Sequence, residues 1–296
     1  MKKLFTITAI CFAGFAFSQS INTNETNEKF SIGSQNAFVT TIYENNANNV
    51  ISEWKKVLKD FKNEKVKDSD NEVFGDNILI KDWGNNPVDF YTKFEEDKKA
   101  KTLKMSVAVD LGGTYLSSSA DKDKAKFVEK MVKDFAIKMT KEPLTDAFKA
   151  NEKQLAKLED DQKDLEKDNK NSKEDIENYK KKITKAEKEV IDRDVEIDKK
   201  KGEINVQKKV VDASSGAVNE QAKSSKKILE KLEDQLKDLE KDKKNSKEDI
   251  ENYKKKIKNA EEDIKKNEEN QTKKKTEIDT QKKVLDASKK KLEAVN

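Results

Sequence analysis

This sequence keeps few of the side chains that do acid–base, nucleophilic or metal chemistry. It contains no histidine, which removes Ser-His-Asp and Cys-His catalysis, the usual general base near neutral pH and the commonest zinc ligand. Its single cysteine, Cys11, lies inside an apolar N-terminal run, so the rest of the chain has neither a disulfide nor a thiol nucleophile. Carboxylate, lysine, tyrosine and hydroxyl chemistry remain. Carboxylates are abundant, as in Asp160-Asp161 and Glu261-Glu262-Asp263. Nothing in the sequence places two of them in a desolvated cleft, where their pKa values would separate. No Asp-x-Asp-x-Asp-Gly calcium loop is present. The residues therefore predict no catalytic site, no cofactor and no metal site: the chain reads as a non-enzyme. Two side chains stand out as candidates for contact with a partner, Tyr179 and Tyr253. They hold equivalent places in a repeat, where they either pack in a helical seam or anchor another protein.

The elements that would position these groups fall into two regions. From about residue 30 to residue 141 the chain reads as a small α+β head. Asn36 to Glu44 is rich in β-branched and aromatic residues and predicts a strand. Val50, Ile51, Trp54, Val57, Leu58 and Phe61 form one apolar stripe of a helix. Strands are expected at 73–81, 88–94 and 103–111; in the last, Leu103, Met105, Val107 and Val109 alternate with polar or small residues. A second helix carries Phe127, Val128, Met131, Val132, Phe135 and Met139 on one side. The expected order is β-α-β-β-β-α, with both helices on one face of a mostly antiparallel sheet. Residues 19–29, polar but for Ile21, read as a flexible linker. Pro143 falls where a new helix can begin.

The second half contains a tandem repeat. LEDDQKDLEKDNKNSKEDIENYKKKI starts at Leu158 and LEDQLKDLEKDKKNSKEDIENYKKKI at Leu232, 74 residues on. Apolar residues step by three and four in one heptad frame, from Leu155 through Ile176, Tyr179 and Ile204 to Val211, and from Leu229 through Ile250, Tyr253 and Ile278 to Leu285. Arg193, Lys200 and Gln207, with Asn267, Lys274 and Gln281, put polar groups on the seam, which should be weakly zipped there. The reading is a coiled-coil repeat at 142–214, a turn at 215–228 and a second repeat at 229–296, folded as an antiparallel hairpin. Two structures fit Asn171–Asp175 and its twin at 245–249. Ser172 and Ser246 either cap a new helix or form a polar layer inside a continuous one.

Charge and targeting narrow the functional classes. Charged residues make up 41% of the chain, but the net charge is only +4, with acids and bases interleaved. A nucleic-acid binder needs a basic surplus on one face, so no nucleic-acid partner is expected. The lysine triplets at 180–182, 254–256 and 273–275 read as solvated faces rather than lipid contacts. Residues 1–18 have the basic start, apolar run and small-x-small cleavage site of a signal peptide; Ile10 before Cys11 is too large for a lipoprotein signal. No transmembrane segment is expected. The chain should be exported, to the periplasm or the cell exterior of a Gram-negative envelope.

Two resemblances add to this reading. Val107 to Tyr115, VAVDLGGTY, is similar to the phosphate-binding turn of sugar kinases with the actin-like fold. That likeness implies contact of Asp110 and the glycine amides with ATP phosphates. The alternative is that Gly112 and Gly113 turn the chain after an edge strand. AFVTTIYE, the tryptophan-bearing helix, VDLGGTYLSSS and KLEDDQKDLEKDNKNSKEDIENYKKKI together resemble a group of uncharacterised secreted Bacteroidetes proteins. Those share a small N-terminal domain and a Lys/Glu-rich helical tail, and this chain departs from them in the doubling of the tail. MKKLFTITAICFAGFAFSQ is similar to signal peptides of that phylum. The resemblance implies no activity. The expected function is a secreted, non-enzymatic scaffold or interaction protein. It would act by helix packing, with protein partners in the envelope, self-association through the coiled coil and a head that docks a partner. A periplasmic holdase chaperone and, further off, a phosphotransferase using Asp110 are the alternatives.

Overall fold

The computed structural model describes residues 20–61, 65–214 and 220–296. The expected signal peptide lies outside the described residues, as does the first part of the expected turn. The fold is α+β: one six-stranded antiparallel sheet and long helices. The strands are β1 (Asn24–Phe30), β2 (Gly33–Tyr43), β3 (Val66–Ser69), β4 (Glu72–Ile78), β5 (Val88–Asp97) and β6 (Thr102–Asp110), in the order β1-β2-β6-β5-β4-β3. The helices are α1 (Ala47–Asp60), α2 (Lys122–Ala213) and α3 (Glu220–Glu293). The chain divides into two units, residues 1–156 with 280–296, and residues 157–279.

In the first unit, one face of the sheet carries the core. Leu103, Met105, Val107 and Val109 of β6 are fully buried, as the alternation predicts, and join Phe90 and Phe94 of β5. Val50, Trp54 and Leu58 of α1 cover them, with Val128, Val132 and Met139 of α2. Asn46 caps α1, its side chain accepting from the Asn49 amide at 2.9 Å. Trp54 is wholly buried: its ring meets Phe135 edge-on at 4.9 Å, and its Nε1 donates to Thr92 Oγ1 at 2.8 Å. The indole thus adds packing area while its one polar group is satisfied.

Two strands depart from the expected β-α-β-β-β-α order. Asn24–Phe30, expected to be part of a flexible linker at 19–29, is β1, paired with β2 from Asn24 against Val39 to Phe30 against Gly33. Val66–Ser69 is β3, paired with β4. Both are edge strands with few apolar residues, so alternation does not reveal them; charged edges also resist pairing with other chains. Glu25 ties β1 down. Its carboxylate accepts from the Ser118 amide at 3.0 Å and from Asn36 Nδ2 at 2.7 Å. Burial pushes this carboxyl up, but the bonds from Ser118 and Asn36 outweigh it and hold it below the usual carboxylate range. A depressed pKa contributes stability that is present above the unfolded value and lost as pH falls through the folded one. Glu25→Gln should therefore lower stability at pH 7, where the ionised carboxylate contributes, and flatten the acid-side loss so that the two chains converge towards pH 3, as read from urea midpoints between pH 7 and pH 3.

Pro143 does not begin a helix; it sits inside α2. A proline there lacks the N–H that would bond to the carbonyl four residues back, which belongs to Met139. Asn45 supplies the missing donor: its Nδ2 reaches the Met139 carbonyl oxygen at 2.6 Å. Next to it, Thr140 Oγ1 accepts from the Tyr43 amide at 3.1 Å. The loop after β2 thus carries the helix across its proline. Asn45→Ala leaves the carbonyl without a partner and should cost about 1–3 kcal/mol, whereas Pro143→Ala in the same background should recover much of it. Chemical denaturation of the four-member cycle checks the coupling.

The last residues of the chain, expected to end the second repeat, belong to this first unit. Val295 is 2% exposed and lies in the core cluster, Leu292 packs against that cluster, and the Ile21 amide donates to the Asn296 carbonyl at 3.1 Å. Gln281 Nε2 donates to the Asn151 carbonyl at 3.1 Å, and Asn151 Nδ2 to Ser288 Oγ at 2.8 Å.

In the second unit, α2 and α3 lie side by side and antiparallel. Ion pairs join Lys208 to Glu233, Lys201 to Glu240, Lys173 to Glu268 and Asp161 to Lys274, so one partner's number rises as the other's falls. Both helices pass without a break through Ser172 and Ser246, which are half-buried; the polar layer, and not a new helix, is what forms. Residues 220–228, expected to belong to the turn, are the first turns of α3. Lys, Glu, Gln and Ala favour helix here, and the Ser225 carbonyl accepts a bond from Gln207 of α2 at 3.0 Å. Among the described residues, no helix is long and apolar enough to cross a membrane.

Candidate functional site

Three places could carry function, and each is built from a different element. The first is the turn after β6. Asp110 ends that strand, which lies between β2 and β5 and is not the expected edge strand. Gly112 and Gly113 adopt φ of +96° and +103°, which an L side chain rarely reaches. Asp110 Oδ1 accepts from the Gly112 amide at 3.0 Å and the Gly113 amide at 2.6 Å. Leu111 N–H then bonds to the Thr114 carbonyl, and Leu116 N–H to that of Val109. The amides that would cradle a phosphate are thus held by the turn's own carboxylate, whose negative charge opposes an anion at that spot.

The second place is the pair singled out by sequence. Tyr179 of α2 and Tyr253 of α3 meet each other, their rings stacked with centroids 6.0 Å apart and planes at 23°. Lys182 and Lys256 lie over both rings at 5.5–5.8 Å, within cation–π range. Residues equivalent in the two repeats are here direct neighbours, so an approximate two-fold axis passes between them. Other contacts of this unit obey it: Lys200 bonds Gln235 at 3.1 Å, and their equivalents Lys274 and Asp161 pair at 3.4 Å. The polar seam residues expected to weaken the zipper make these bonds. Lys274 is held above the ordinary lysine range; burial lowers it, but Glu277 and Asp161 together outweigh burial.

The third place was not visible to sequence reasoning. On the sheet face away from the core, Phe30, Ala37 and Ala108 are buried beneath half-buried Val39, Tyr91 and Tyr115. Phe74 packs on Tyr91 at 4.8 Å, and Tyr91 on Tyr115 at 6.3 Å. Burial pushes the Tyr91 phenol up, and Tyr115, Asp89, Asp110 and Asp76 push it further; Tyr115 is raised by burial and then by Asp110 and Asp89. The result is a flat aromatic patch ringed by carboxylates. Its residues come from five strands and a turn, so only strand order brings them together; the alternation of Phe74, Tyr91 and Val39 with core residues was the available signal.

Among the described residues, no group of three or more Asp, Glu, Cys or His side chains is placed to hold a metal ion. Together these features define a class only by architecture: an antiparallel α+β head whose last helix runs on into a paired helical segment. Comparison with protein-family models, with curated proteins and with solved structures finds no match for this chain.

Proposed function

We propose that the chain is an exported, non-enzymatic interaction protein. Its head docks a partner protein through the aromatic outer sheet face, and its two repeats form a coiled coil. The observation that carries this reading is the mutual stacking of repeat-equivalent Tyr179 and Tyr253. It supports a helical seam filled from within the chain, and, among the described residues, the head's aromatic face is then an apolar surface open to a partner. The heptad frame supports the coiled coil. Its apolar positions, from Leu158 to Ile204 and from Leu232 to Ile278, are buried or half-buried, while most of the charged residues between them are exposed. The carboxylates around Tyr91 and Tyr115 favour a basic partner surface.

The test immobilises the full chain and its Tyr91→Glu/Phe74→Glu variant against an envelope extract. A protein retained by the first and lost from the second supports head docking; identical retention, or none, removes it. Mass spectrometry of the exported product should find an N-terminus at Gln19. The holdase alternative predicts suppression of client aggregation at equimolar chain, and its absence would end that alternative.

A further inference from the structure

The first hairpin of the chain crosses part of the outer sheet face. β2 pairs with β6 from Tyr43 against Thr102 to Phe38 against Val107, and there the pairing stops, although β6 runs on to Asp110. The segment after the β6 turn lies against the end of that strand instead: Tyr115 bridges Asp110, and the Leu116 amide donates to the Val109 carbonyl at 2.8 Å. Residues 33–37 of β2 keep β1 as their ladder partner among the described residues. Two contacts show where the freed hairpin goes. Glu28 of β1 meets Lys104 of β6 at 2.8 Å. Ser31, at the tip, donates to Glu72 of β4 from its amide at 3.0 Å and from its hydroxyl at 2.6 Å. Lys104 shares a sheet face with Ala108, and Glu72 with Phe74, because alternate residues of a strand point the same way. That is the face away from the core. A straight β2 would carry Ser31 beyond the end of β6, so the hairpin bends across the sheet from β6 towards β4. Phe30 points beneath it: this edge-strand residue is 3% exposed and clusters with Ala108, Tyr91 and Tyr115. Ser106, between Lys104 and Ala108 on that face, is 1% exposed.

We infer that residues 28–35 form a strap that lifts from the outer face and, when closed, competes with a partner for the aromatic patch. The inference rests on the reading of that patch as the docking surface. It follows from what lifting breaks. The ladder of the strap lies within the hairpin, so raising it breaks no hydrogen bond between β2 and β6. The end of the strap is held by Phe30, by the Glu28–Lys104 pair and by the bonds of exposed Ser31. Side-chain pairs that water can reach hold weakly. Lys104 also pairs with Glu95 at 3.4 Å, so opening does not strand its charge. The base is tied more firmly, by Glu25 to the Ser118 amide and by Asn36 Nδ2 to the Leu116 carbonyl at 2.8 Å. Lifting is thus a hinge at the base and not a loss of β1. A segment with few buried contacts opens locally at far less cost than global unfolding. On the covered face, the Ser106 hydroxyl has no hydrogen-bond partner among the described residues. Closure therefore buries a polar group unpaired, a penalty that opening relieves. Opening uncovers Ala108 and the sides of Tyr91 and Tyr115 that Phe30 packs against. A partner that needs this surface binds with an apparent affinity reduced by the closed fraction.

Thiol labelling of the full chain tests the strap. In a Cys11→Ser background, Ser106→Cys places a near-isosteric reporter on the covered outer face. Val107→Cys reports on the opposite face, where Val107 is fully buried in the core. A small maleimide should label the Ser106→Cys chain roughly a hundredfold faster than the Val107→Cys chain, as local opening requires. Adding Glu28→Ala/Glu72→Ala cuts the polar latch and should speed the first about tenfold while leaving the second unchanged. Equal rates at the two positions, or equal acceleration of both, would mean exposure by global unfolding alone and would overturn the strap. The docking arm uses the protein whose capture from envelope extract is lost in the Tyr91→Glu/Phe74→Glu chain. The Glu28→Ala/Glu72→Ala chain should retain about threefold more of it than the unmodified chain, since a larger open fraction raises apparent affinity. Equal or lower retention would overturn the competition between strap and partner. If the unmodified chain captures nothing, the docking reading itself falls, and the labelling rates still decide whether the strap lifts.

Discussion

Trp54→Ala is expected to leave the head without a cooperative unfolding transition. The indole is fully buried between the sheet and Phe135, and removing a core tryptophan costs about 3–5 kcal/mol in transfer and cavity terms. The same change leaves Thr92 Oγ1, itself buried, without its donor at 2.8 Å, which adds about 1–3 kcal/mol. The total rivals the whole stability of a typical domain, about 5–15 kcal/mol. Trp54→Phe keeps most of the packing and loses only the hydrogen bond, so it should remain folded. Trp83 is the reporter: it packs edge-on against Phe127 at 5.5 Å beneath Lys124, and its fluorescence follows the head through a urea titration. A Trp54→Ala chain with a near-normal midpoint would show that α1 does not hold the sheet as described.

The second large effect concerns the end of the chain. Deleting residues 292–296 removes Val295 from the core, strips Leu292 from its edge and breaks the bond between the Ile21 amide and the Asn296 carbonyl. Buried Val295 contributes about 1.5–3 kcal/mol by area and half-buried Leu292 somewhat less, with the Ile21–Asn296 hydrogen bond adding about 0.5–1.5 kcal/mol. The expected loss is therefore about 3–5 kcal/mol, or a fall in Tm of roughly 6–20 °C for a domain of this size. The same deletion uncovers Ile21, which is 1% exposed in the intact chain. Differential scanning calorimetry of the full and shortened chains reads the difference. If the two transitions coincide, the C-terminal residues do not belong to the head core.

Much of this architecture was legible in the sequence because it rests on local periodicity. The stripe of α1, the alternation of β6 and the 74-residue repeat each arise from one element's own spacing of apolar side chains. Burial therefore follows the pattern at Trp54, at Leu103 to Val109 and at Ile176 with Ile250. The chemistry that the sequence lacks, with no histidine and one cysteine, was likewise plain from composition.

What the tertiary structure decided depends on partners distant in sequence. β1 and β3 have no apolar alternation; they are strands because β2 and β4 offer hydrogen bonds to them. Pro143 would stop an isolated helix, and it does not stop α2 because Asn45 replaces the lost donor at Met139. Val295 reads as one more seam position until Ile21 and the head core stand beside it. The aromatic patch of Phe74, Tyr91 and Tyr115 exists only once strand order is set. Periodicity in a sequence records which side of an element avoids water. It does not record which other element takes water's place, and that choice is made only when the chain closes on itself.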